Sequence, residues 1–171
     1  MSESRTTAVH RVEFDVDWPP GHVACYLLDG PEPVLVDAGM PEDPEDDHDR
    51  ERTLREGLAA AGVEPADVAH LVVTHPHVDH LGQVPTVIAA GDPTVYAPAG
   101  IRERFAGGAE ALAERVERNA RAAGIEGGAL EEAVGMAVRS LERDRELLPP
   151  SAVDRWVAPG EPLDVGGHTF E

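Results

Sequence analysis

Three histidines and one aspartate fall within six positions of this chain, in the run Thr74-His75-Pro76-His77-Val78-Asp79-His80. Imidazole nitrogens and carboxylate oxygens are ordinary ligands of zinc-like ions, and a site built for catalysis leaves one position open to water. A spacing of two puts His75 and His77 on one side of an extended segment, where both can grip a single ion, and Asp79 repeats that spacing. His80 breaks the pattern and can turn to a second ion, or to the first once the loop bends. Pro76 stiffens the loop and lowers the entropy cost of ordering the ligands. A set of structural histidines at a helix start would not explain four ligand-type residues directly after an apolar strand.

The elements around this loop must hold it in place. Val12 to Val16 alternates apolar and charged residues and reads as a strand; His22–Leu28 and Val34–Val36 read as two more, giving a meander of short strands at a sheet edge. Pro41 to Asp49 reads as a solvated acidic loop. Leu54, Leu58 and Ala61 recur at helical spacing from Arg52 to Ala61, with Gly62 as a C-cap. Ala69–Val73 reads as a buried strand feeding the histidines, Val84–Ala90 as a short helix, and Thr94–Tyr96 as another strand. Ile101–Ala123 and Leu130–Leu148 are rich in Ala, Glu, Arg and Leu and read as two helices split by Gly124 to Gly128. Trp156-Val157 reads as a strand, and residues 163–170 as a hairpin around Gly166-Gly167.

The chain has 171 residues, one domain's worth, and 42% of them are hydrophobic, enough to bury a core. Its 33 acidic residues outweigh 14 basic ones for a net charge of -19, which repels phosphate backbones and anionic lipid and argues against nucleic acid or a membrane surface as partner. All the basic residues are Arg; such a composition fits adaptation to high salt and equally a coding bias of Arg over Lys. Cys25, the single cysteine, lies in an apolar run and cannot form an internal disulfide. No secretory signal or membrane-length apolar run is visible, so a cytoplasmic location is expected. His10, His22, His48 and His70 stand alone and read as satisfied or exposed residues. Arg102, Arg104, Arg115 and Arg118 could meet an anionic substrate, but on helices this acidic they read as surface ion pairs.

Thr74 to Gly82 resembles the Thr-His-x-His-x-Asp-His-x-Gly signature of the metallo-β-lactamase superfamily, and residues 22–28 and 34–39 resemble its opening strands. The resemblance covers roughly residues 12 to 97 and implies an α/β fold, an αββα sandwich with the metal at the sheet edge. It implies that His75 and His77 bind a first ion, that Asp79 and His80 bind a second, and that Asp37 supports the site from the end of its strand. Residues 99–148 would then be a helical insertion walling the substrate pocket, as in glyoxalase II-like and lactonase-like members, or a helical pair of the sandwich itself.

The family completes its site with a third His, a bridging Asp and a last His. Gly167-His168-Thr169 superficially fits the third-His loop, but its context resembles the hairpin just before that loop, and His168 is not expected to be a ligand. The chain ends in what should be a strand, so residues 1–171 read as a single, incomplete domain, the N-terminal part of a longer protein. An exposed sheet edge would invite dimerisation. The expected activity is that of a metal-dependent hydrolase. Two Zn²⁺ ions, or Fe or Mn in their place, would activate water against a small ester, thioester or lactone, with Asp79 orienting the nucleophile or taking its proton. The alternatives are an iron-dependent oxidoreductase on the same ligands and a metal-binding member without catalysis.

Overall fold

The computed structural model describes residues 8–43, 45 and 47–171. Its main sheet has six strands in chain order: β1 (Val9–Asp15), β2 (His22–Leu28), β3 (Val34–Val36), β4 (His70–Val72), β5 (Thr94–Pro98) and β6 (Arg155–Val157). The first three pair antiparallel, and β3 through β6 run parallel. Parallel neighbours need crossovers, and helices provide them. These are α1 (Arg50–Ala59), α3 (Val84–Gly91), and the run α4 (Ala99–Ala106), α5 (Gly108–Ala122) and α6 (Gly128–Leu147).

The pleat divides the sheet into two faces. Phe14, Cys25, Leu27, Leu35, Leu71 and Val95 point to one side, where they meet Leu54 and Leu58 of α1, Val84 and Val87 of α3, and Ile101, Phe105 and Leu141 of the helical run. Val34, Val72 and Tyr96 point to the other side and pack against Leu163 and Val165. Those two residues belong to β7 (Leu163–Val165), which pairs with β8 (His168–Phe170) in a separate two-stranded sheet. Helices, main sheet and hairpin thus form successive layers. The hairpin turns at Gly166 and Gly167, both at positive φ as a two-residue turn demands, and a Cβ on Gly166 would meet the Val34 side chain at 2.4 Å.

Several boundaries differ from the sequence reading by a residue or more, and three of them have a plain physical cause. Strand β1 spans Val9–Asp15, since pairing with β2 carries it back to Val9 opposite Leu28. Helix α1 starts at Arg50 because Asp49 caps it, accepting from the Arg52 amide at 2.8 Å. The stretch expected as one helix from Ile101 to Ala123 is two, broken where Gly108 adopts φ +75° after Gly107. The acidic loop at 41–49 is described except at positions 44 and 46. Among the described residues, no helix is long and apolar enough to cross a membrane.

Candidate metal centre

Loops that leave the carboxyl ends of parallel strands share one edge of the sheet, the usual place for a ligand in an open α/β fold. Here the loop after β3 and the loop after β4 lie side by side and are joined by main-chain bonds. The Asp37 amide donates to Val72 O at 2.9 Å, Ala38 to His80 O at 2.8 Å, Gly82 to Gly39 O at 2.8 Å, and Gln83 to Ala38 O at 3.1 Å. The buried Gln83 side chain adds a bond from Nε2 to Met40 O at 2.9 Å.

This approach explains the motif glycine. A Cβ on Gly82 would lie 2.0 Å from Met40 C and from Pro41 N, both backbone atoms that cannot swing away. Gly82→Ala is therefore expected to cost about 1–3 kcal/mol, as overpacking does. The lowered melting temperature of the metal-free protein would show it, and an unchanged one would mean that the two loops separate freely.

Residues His75 to His77 remain outside regular structure, but Val78–Leu81 forms a short helix, α2. The extended spacing expected through Asp79 therefore stops at His77, which sits at the N-cap of α2, and Asp79 lies in the first helical turn. This turn brings His80 back under His75: their ring centroids are 4.0 Å apart, while those of His75 and His77 are 4.7 Å apart, edge to face.

Asp37 organises the cluster. It is 5% exposed and adopts φ +59°, a conformation that Asp tolerates better than most side chains. Its Oδ1 accepts from the Thr74 amide at 2.8 Å, and its Oδ2 accepts from Thr74 Oγ1 at 2.7 Å and lies 2.8 Å from His80 Nδ1. Thr74 Oγ1 also lies 2.8 Å from His75 Nδ1. A carboxylate on Nδ1 fixes the tautomer of His80 and leaves Nε2 as the acceptor atom. That Nε2 is 3.7 Å from Asp79 Oδ2. Burial, followed by the neighbouring charge of His80, holds the His75 imidazole below the usual histidine range, which favours the neutral, ligating form. Among the described residues, donor atoms of Asp37, His75 and His80 all lie within 4.8 Å of one another, a group that could hold a metal ion.

The isolated histidines lie elsewhere. Among the described residues, His10, His70 and His168 have buried Nε2 atoms without a partner; the Nδ1 of His70 lies 3.4 Å from Tyr96 Oη, and His168 is on β8. Burial pushes the Cys25 thiol up to about 12, making it an inert core residue. Among the described residues, Arg102, Arg115 and Arg118 make no salt bridge; Arg104 does, 3.2 Å from Asp144 Oδ2. That partner is not among the residues singled out from the sequence. Asp144 is fully buried on α6, and it does carry a sequence signal: it falls three residues after Leu141 and four before Leu148, on the apolar stripe. An apolar cavity of about 450 Å³, lined by Tyr96, Pro98, Val157, Leu163 and Phe170, reaches the loop at Thr74 but includes none of the histidines.

Residues 18–170 match the family described as the metallo-beta-lactamase superfamily. The chain belongs to that superfamily. A metallo-beta-lactamase family protein from Thermus thermophilus superposes with a TM-score of 0.61 at 25% identity, over 94% of this chain and 49% of that one. A "probable metallo-hydrolase" of Bacillus subtilis (strain 168) is 39% identical over 77 residues, 45% of this chain and 23% of that protein. Metallo-beta-lactamase domain-containing protein 1 of Xenopus laevis is 40% identical over 58 residues, 34% of this chain and 22% of that protein. The matched stretch is thus about half the length of the Thermus protein and under a quarter of the other two. The mixed α/β architecture is that of the fold's N-terminal part.

Proposed function

We propose that this loop cluster is one side of a one- or two-ion hydrolytic centre, with His75 and His77 holding a first ion and Asp79 and His80 a second. The carrying observation is the Asp37–His80 contact. Asp37 already meets three donors through its two oxygens, so it supports the site rather than ligating. His80 is then left with Nε2 facing Asp79. Imidazole and carboxylate donors fit zinc, and also iron or manganese.

Ions held there supply Lewis-acid polarisation of the substrate and activation of water at neutral pH. The chain's own residues supply the geometry. Thr74 orients the His75 ring through Nδ1, Asp37 orients the His80 ring, and the zipped backbones of residues 37–41 and 74–83 keep both in register. Asp79, with its side chain 23% exposed, is the carboxylate available to orient the attacking water and take its proton.

The -19 charge disfavours a nucleic-acid substrate and leaves small esters, thioesters or lactones as the preferred class. Residues 99–148 would wall the pocket, since α6 packs against α2 at the loop. The test is hydrolysis of an aryl ester, an acyl thioester and a lactone by protein loaded with Zn²⁺, Mn²⁺ or Fe²⁺. Turnover of one class is expected, lost with chelator and restored by metal. Retained metal without turnover of any of the three would contradict the reading.

A further inference from the structure

We draw no further inference here: the strongest candidate, the apolar cavity of about 450 Å³ beside Thr74, between the ends of β4 to β6 and the β7–β8 hairpin, carries none because nothing in the structure shows what covers it.

Discussion

Replacing His77 with alanine is expected to reduce metal affinity by more than the roughly 10–100-fold that loss of an outer partner costs, and to bring turnover down to the metal-free background. The ring belongs to the N-cap residue of α2, is exposed, and makes no hydrogen bond among the described residues, so the metal-free protein should melt within about 0.5 kcal/mol of wild type. His75→Ala and Asp79→Ala should give the same pattern of lost metal with retained fold. Equilibrium dialysis with elemental analysis, beside thermal melts in chelator, separates the two quantities. Wild-type turnover in His77→Ala or Asp79→Ala would reject these residues as the site.

Asp37 should behave in the opposite way, because it belongs to the fold and to the site together. Asp37→Ala removes the acceptor for the Thr74 amide, the Thr74 hydroxyl and His80 Nδ1, and places alanine at φ +59°. Breaking a buried, charge-assisted network by removing one partner costs about 3–5 kcal/mol. Left-handed backbone adds about 1–2 kcal/mol for a residue without a compensating polar side chain. Much of the stability of a marginal domain is then lost. Asp37→Asn tolerates the conformation and can still accept from Thr74, but it cannot satisfy all three donors. It is expected to fold while binding metal about 10–100-fold more weakly. Denaturant melts and metal titration of the pair check both claims, and wild-type metal affinity in a folded Asp37→Asn would detach Asp37 from the site.

The parts of the molecule governed by local pattern are legible in the amino-acid sequence. The apolar run of residues 22–28, that of β3 and the Gly166-Gly167 turn each depend on neighbours in the chain, and each forms where expected. The metal loop is legible as a set of residue types for the same reason. Its shape is not: α2 forms where the Gly82 backbone is pinned against Gly39 and Met40, and those partners lie about forty residues away. The break at Gly107-Gly108 is masked by helical propensity on both sides. Asp144 carries a signal only in its place on the apolar stripe of α6, where charged residues are frequent; burial beside Arg104 is what distinguishes it from solvated neighbours. Resemblance places Asp37 at the end of its strand, and the structure adds the three donors around it.

The most direct test of the metal centre follows the eight imidazoles of the chain by NMR during a Zn²⁺ titration. The account predicts that the ring signals of His75, His77 and His80 change in step with bound metal, while those of His10, His22, His48, His70 and His168 stay where they were. Binding that leaves the three loop rings unmoved, or that moves His168 or His70 instead, would contradict it.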